Sequence, residues 1–165
     1  MKKYGLCLLA LALCLSGCAA AETFETIADE WDIAIQAPLV REILLEIPDN
    51  AALLTAQQEE GSSLYFCEDY SFSVQVLSGG DLDKTLRSVT GFGLEDITVM
   101  ETRQGNTTRY DMVWISAGED GDQVNRAAIL DDGAYHYVLS AQTGEAQTQA
   151  VAAEWERLFQ SFWVS

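Results

Sequence analysis

Residues 97–141 constrain the fold of this 165-residue chain more than any other part of it. They contain four stretches rich in β-branched and aromatic residues, which favour strands. The stretches are Ile97–Thr102, Arg109–Ala117, Val124–Leu130 and Ala134–Ala141. The breaks between them contain glycine, asparagine or aspartate, the residues that tight hairpin turns require. This spacing predicts a four-stranded antiparallel meander.

A second strand pattern precedes the meander. Ser63–Phe66 and Tyr70–Leu77 flank a short acidic turn, and in Tyr70–Leu77 large apolar residues alternate with serine and glutamine. That alternation predicts a half-buried strand with one wet face. Val40–Ile47, rich in isoleucine and leucine, also has strand character and ends at Pro48. We therefore expect an antiparallel sheet of about six strands.

Two helices are predicted beside this sheet. Asp81 is a good N-cap for a short helix, and Gly91 stands where a left-handed C-cap is expected. Near the end of the chain, apolar residues recur on one helical stripe that must be buried. The stripe consists of Val151, Trp155, Leu158, Phe159 and Phe162. Strands with a middle helix and a C-terminal amphipathic helix predict an α+β fold, with helices packed on an antiparallel sheet.

The order of these elements resembles that of PsbP-like domains, the fold of the photosystem II extrinsic protein and of many small bacterial lipoproteins. The hairpin at 63–77, the helix at 81–90, the meander at 97–141 and the terminal helix carry the resemblance. They cover most of residues 40–165. The resemblance implies an α+β sandwich, but it implies no particular reaction, because a fold alone does not determine function.

The start of the chain has the pattern of an export signal. Lys2 and Lys3 precede the apolar stretch Leu6–Leu15, which is much shorter than the roughly 20 residues that span a bilayer as a helix. The next residues, Leu15-Ser16-Gly17-Cys18, resemble the lipobox of a bacterial lipoprotein precursor. The resemblance implies cleavage between Gly17 and Cys18 and a diacylglycerol thioether on Cys18. Two acyl chains suffice for stable membrane anchoring.

The lipobox interpretation divides the chain into three parts. We expect a signal peptide at 1–17, a lipidated N-terminus and tether at 18–30, and one α+β domain at 31–165, held at the cell membrane on the extracytoplasmic side. The alternative is an ordinary secretory signal cleaved after Ala20 or Ala21.

The charge balance excludes one class of partner. The sequence has 9 lysine and arginine residues against 26 aspartate and glutamate residues, a formal net charge of −17. A nucleic-acid-binding protein needs a basic face to displace counterions from phosphates. We therefore expect no nucleic-acid partner.

Few residues have the pattern of a catalytic or metal site. His136 is the only histidine, and its place between two tyrosines is more typical of a sheet face than of a general base. Cys67 would be the only cysteine left after processing and lipidation of Cys18, and a structural thiol is favoured over a reactive one. We predict no catalytic residue, no cofactor and no metal.

Carboxylates cluster at two predicted hairpin tips. The residues are Glu119, Asp120 and Asp122 at one tip, and Asp131 and Asp132 at the other. Solvated turns are the favoured interpretation, and a weak Ca²⁺-type site is the alternative, because hard cations prefer oxygen ligands. Aromatic residues on the meander, namely Tyr110, Trp114, Tyr135 and Tyr137, favour core packing over a ligand pocket.

These observations favour a membrane-anchored, non-catalytic lipoprotein whose monomeric domain binds or scaffolds an unknown partner. The alternative is a ligand-binding or chaperone-like module that carries a lipid or peptide in a cavity between sheet and helix. A flat sheet sealed by helices would favour the first, and a large apolar cavity would favour the second. A hydrolase ranks third.

Overall fold

An antiparallel sheet is the centre of the computed structural model, which describes residues 38–55, 61–119 and 121–165. The strands are β1 (Ile43–Leu44), β2 (Ala52–Leu53), β3 (Ser62–Phe66), β4 (Tyr70–Ser78), β5 (Val99–Gln104), β6 (Thr107–Gly118), β7 (Gly121–Asp131), β8 (Tyr135–Gly144) and β9 (Trp163–Val164). Strands β2 to β8 form a seven-stranded sheet in the order β2-β3-β4-β8-β7-β6-β5, and β1 pairs with β9 separately. The predicted signal peptide and tether lie outside the described residues.

The predicted hairpin and meander are confirmed. Strands β3 and β4 form the hairpin, and β5 to β8 form the meander. The β5–β6 turn is tight, with Gln104 paired to Thr107 and Gly105 at a φ of 61°, a left-handed conformation that glycine adopts without strain. Strand β4 pairs with β8 along its whole length and thereby joins the hairpin to the meander.

Helix α1 (Leu82–Thr90) covers one face of the sheet. The Asp81 side chain accepts a hydrogen bond from the Lys84 N–H at 3.2 Å, and Gly91 ends the helix at a φ of 80°. Both predicted caps are therefore confirmed. Leu86 is fully buried and packs with four sheet residues, Met112, Ala127, Ile129 and Val138. We call this side of the sheet the α1 face.

Helix α2 (Thr148–Ser161) covers the opposite face, the α2 face, after one 3-10 turn at Glu145–Gln147. All five residues of the predicted apolar stripe are buried, and they pack on Phe72, Leu130, Tyr137 and Leu139 of the sheet. The larger of the two cores therefore lies between α2 and the sheet, and the predicted α+β sandwich is confirmed. Among the described residues, no helix is long and apolar enough to cross a membrane.

The segment Val40–Ile47 differs from its predicted form. Only Ile43–Leu44 is a strand, and it pairs with Trp163–Val164 outside the main sheet. Arg41 fixes the segment there, because its guanidinium donates hydrogen bonds to the carbonyls of Val164 and Ser165. The seventh strand of the main sheet is instead β2, a two-residue edge strand whose pairing to β3 could not be read from so short a pattern.

Candidate functional site

Helix α1 leaves part of its sheet face open. Leu86 of the helix packs on Met112, Ala127, Ile129 and Val138. Farther along the same face lie Ser73 and Ser140, which pair across β4 and β8, and the next row of paired residues, Trp114, Asn125, Gln142 and Ser71. An open groove of about 150 Å³ lies over them. We call it the α1 groove.

The floor of the α1 groove is polar. The hydroxyls of Ser73 and Ser140 lie 2.9 Å apart, so one donates to the other and one O–H is left for another acceptor. Asn125 is buried, and its amide nitrogen donates to the Ser116 hydroxyl at 2.9 Å and to the Gln123 carbonyl at 3.1 Å. Because both amide hydrogens are used, the carbonyl oxygen of Asn125 is the atom left to accept a hydrogen bond from a ligand.

The walls of the α1 groove are apolar. They are formed by Leu64 from β3, Val89 from the last turn of α1, and Trp114 from β6. Among the described residues that line the groove, none is charged. The arrangement can pack against an apolar surface and hydrogen-bond a neutral polar group. No described residue of its lining is titratable, so none of them could serve the serine pair as a general base.

His136 lies beneath helix α1. Its side chain is fully buried, its Nδ1 is 2.7 Å from the Thr85 hydroxyl, and its Nε2 is 3.7 Å from a carboxylate oxygen of Asp131. The histidine therefore connects α1 to the sheet. The interpretation of His136 as a sheet-face residue is confirmed.

The predicted carboxylates at the β7–β8 turn hold the turn itself. One oxygen of Asp132 accepts hydrogen bonds from the backbone N–H groups of Ala134 and Tyr135, and the other accepts one from the Tyr137 hydroxyl. Burial alone would raise the pKa of Asp132, but these donors outweigh it and the pKa is lowered. Asp131 likewise accepts from the Gly133 N–H at 2.7 Å.

The carboxylates of the other tip are far from this turn. Glu119 and Asp122 flank the β6–β7 turn, which lies at the opposite end of the eleven-residue strand β7, and Asp120 is outside the described residues. The described carboxylates of the two tips therefore lie at opposite ends of β7. Within the described ranges, no group of three or more metal-ligating side chains is close enough to hold a metal ion.

The aromatic residues of the meander have different roles. Tyr137 is fully buried in the α2-face core, and the Tyr135 hydroxyl donates to the Pro38 carbonyl at 2.9 Å. Tyr110 packs against the smaller core beneath α1. Trp114 also borders that core, but it lines the α1 groove as well. Core packing, the favoured interpretation, therefore holds for the tyrosines, whereas Trp114 is available to a ligand.

Cys67 is a half-buried thiol on the α2 face. It packs against the core there, beside the buried ring of Tyr70. Burial raises the pKa of the Tyr70 hydroxyl, and the neighbouring Cys67 and Glu154 raise it further. None of the described neighbours named here is a cation, which agrees with the expected structural role.

The polar floor of the groove was not predicted as a site. The one available signal was the wet face of β4, on which Ser73 lies. Ser140 and Asn125 lie within strands whose residues are mostly buried or half-buried. Only the strand register brings them together with Ser73 and Trp114.

No family model matches the sequence, and no curated protein is significantly similar to it. Solved structures do match. The cyanobacterial PsbP (CyanoP) of Synechocystis sp. PCC 6803 has 10% identity and a TM-score of 0.53, with 79% of this chain and 96% of that chain covered. LpqN of Mycobacterium tuberculosis, involved in cell envelope biogenesis, has 12% identity and a TM-score of 0.53, with 79% and 87% covered.

A third match, to a structure from Bacteroides thetaiotaomicron, has 12% identity and a TM-score of 0.49. It covers 74% of this chain, but this chain spans only 45% of that one. The similarities to CyanoP and LpqN confirm the predicted PsbP-like architecture: the described part of this chain has the α+β fold found in those two proteins.

Proposed function

We propose that this protein is a lipoprotein anchored to the cell membrane through Cys18, and that its folded domain is a non-catalytic binding module on the extracytoplasmic side. The Leu15-Ser16-Gly17-Cys18 motif supports the anchor. The α1 groove carries the binding part of the proposal, because it combines unused hydrogen-bonding groups with an accessible aromatic wall. The fold shared with LpqN, described as involved in cell envelope biogenesis, supports an envelope location.

The cavities favour a protein partner over a carried lipid. Trp155, Phe159 and Phe162 fill the space between α2 and the sheet, where a carrier would need its cavity. The α1 groove, at about 150 Å³, is smaller than the roughly 300–1,000 Å³ of pockets that enclose a small molecule. It has room for a side chain or a short loop of a partner.

A larger recess of about 310 Å³ lies between the 46–50 loop and helix α2. Charged side chains line it, including Glu46, Asp49, Glu154 and Arg157. Because burying unpaired charge against an acyl chain is unfavourable, this recess does not favour a lipid either. Binding of a protein partner remains the function that the surface supports best.

Replacing Cys18 with serine tests the anchor. The Cys18→Ser protein is expected to remain an uncleaved precursor and to move from the detergent phase to the aqueous phase, because serine cannot form the thioether. Phase partition and N-terminal sequencing measure both effects. A matched Cys67→Ser variant should partition like the wild type. A mature wild-type protein that begins at a residue other than Cys18 would contradict the proposal.

Replacing Trp114 with alanine tests the α1 groove. Tryptophans at interface centres commonly contribute about 2 kcal/mol or more, so recovery of the partner should fall about thirtyfold in affinity purification from membranes. Mass spectrometry of the co-purifying proteins measures the change, and circular dichroism verifies the fold. Leu53→Ala, which removes an exposed apolar side chain on the α2 face, is the matched control. Equal recovery with Trp114→Ala and Leu53→Ala would show that the groove is not the binding site.

A further inference from the structure

Strand β6 is longer than its neighbour at the edge of the sheet. β6 runs from Thr107 to Gly118, but β5 pairs with it only from Thr107 to Met112. On the other side, β7 pairs with the whole of β6. Within the described parts of the chain, the outer edge of β6 from Val113 to Gly118 therefore has no strand partner. We call this segment the β6 edge.

The hairpin turns determine which backbone groups of the β6 edge are exposed. Gln104 and Thr107 close a two-residue turn, and so do Gly118 and Gly121. The pair that closes such a turn is hydrogen-bonded, and hydrogen-bonded pairs alternate along an antiparallel ladder. We counted alternate residues of β6 from each of the two turns, and both counts give the same result. Ile115 and Ala117 direct their N–H and C=O groups away from β7.

The side chains of the β6 edge are apolar and accessible. Val113 is 59% exposed and Ile115 is 60% exposed, and both lie on the α2 face with Met100 of β5, which is 62% exposed. Sheet edges are usually protected from other strands by lysine, proline or a bulge. The sequence from Val113 to Gly118 contains neither lysine nor proline, and its pairing with β7 is continuous.

The charges around the β6 edge indicate which kind of partner can bind there. Asp122 lies opposite Ala117, and Glu119 follows the strand directly. Arg126, the residue opposite Val113, is engaged elsewhere, since its guanidinium lies 4.2 Å from the centre of the Phe159 ring. With a formal charge of −17 on the chain, a second copy would bring two acidic surfaces together.

We infer that the β6 edge binds an extended basic segment of a partner protein, which adds one strand to the sheet. Its backbone would pair with Ile115 and Ala117, and its apolar side chains would lie on Val113 and Ile115. Its lysine or arginine residues would face Glu119 and Asp122. Added strands of this kind obtain affinity from main-chain hydrogen bonds and specificity from alternate side chains. The β6 edge contains Trp114, whose side chain lines the α1 groove, but Val113 and Ile115 lie on the opposite face of the sheet, so the inference does not depend on the function proposed for that groove.

Two synthetic ten-residue peptides test the inference, one that alternates valine with lysine and one that alternates valine with glutamate. The lysine peptide should bind the folded protein at least tenfold more tightly in calorimetry, and salt should weaken its binding. Hydrogen exchange at the Ile115 and Ala117 amides should slow when it is added. Equal binding of both peptides, or unchanged exchange at these two amides, would overturn the inference.

Variants of the β6 edge complete the test. Ile115→Arg should weaken binding of the lysine peptide at least tenfold, whereas Leu53→Arg on β2, at the opposite edge of the sheet, should leave it nearly unchanged. If Ile115→Arg does not fold, Ala117→Pro serves instead, because it removes an N–H that points away from β7. Binding that survives the folded variant would contradict the inference. So would a wild-type dimer that Ile115→Arg dissociates, since it would assign the edge to a second copy.

Discussion

Replacing Trp155 with alanine is expected to lower the free energy of unfolding by about 3–5 kcal/mol, the usual effect of truncating a large aromatic residue in a core. The Trp155 side chain is buried on the inner side of α2. Its ring contacts Tyr70 edge-on at a centroid distance of 6.3 Å and Phe159 at 6.5 Å. Because domains of this size are stable by only about 5–15 kcal/mol, the change should remove a large part of the total. Denaturant titration followed by circular dichroism measures it.

Two matched variants separate core packing from other effects at this helix. Trp155→Phe keeps an aromatic ring and removes an indole N–H that is buried without a hydrogen-bond partner in the described structure, so it should lose less than half as much stability as Trp155→Ala. Glu156→Ala, on the exposed side of α2, should change stability by about 0.5 kcal/mol or less. An unchanged unfolding midpoint for Trp155→Ala would mean that α2 is not a layer of the core.

Replacing Arg109 with methionine is expected to lower the free energy of unfolding by about 3–5 kcal/mol. The Arg109 guanidinium pairs with both carboxylate oxygens of Asp111, at 2.7 and 2.9 Å, and the two side chains are only 14% and 13% exposed. It also donates to the carbonyls of Phe159 and Phe162 at the end of α2, where helix carbonyls lack intrahelical partners. The variant would leave a buried carboxylate and two carbonyls without their donor.

A double variant identifies the cause of that loss. Arg109→Met combined with Asp111→Leu should recover part of the stability, because it removes the carboxylate left without a partner. Arg109→Lys keeps the charge but not the planar guanidinium that reaches all three acceptor groups. Its loss of stability should therefore be smaller than that of Arg109→Met but larger than zero. Thermal and denaturant unfolding of the three variants give the comparison. A loss below about 1 kcal/mol for Arg109→Met would show that the pair contributes as little as an exposed salt bridge.

The parts of the fold that depend on local chemistry could be predicted from the sequence. Asp81 and Gly91 bound helix α1 because their capping preferences are properties of single residues. The meander could be predicted because each of its breaks contains turn-forming residues. The apolar stripe of α2 indicated a buried face, and the structure buries it.

The parts that depend on pairing between distant segments could not be predicted. Val40–Ile47 has the composition of a strand, but Arg41 binds it to the last residues of the chain and not to the sheet. The α1 groove was missed for a related reason. Ser73, Asn125 and Ser140 are unremarkable in their own strands, and they become neighbours only through the β4–β8 and β7–β8 registers.

The same β4–β8 pairing has a consequence for how fast the chain folds. Each strand of the meander meets a neighbour from the adjacent hairpin, so those contacts close short loops. β4 must instead find β8 across the whole of α1 and the meander, with Tyr70 opposite Thr143. Closing a loop of that length loses chain entropy before any contact compensates for it, and folding slows as such contacts increase. The docking of the β3–β4 hairpin on β8 should therefore limit the folding rate, and until it occurs the edge of β8 is open to pairing with other chains.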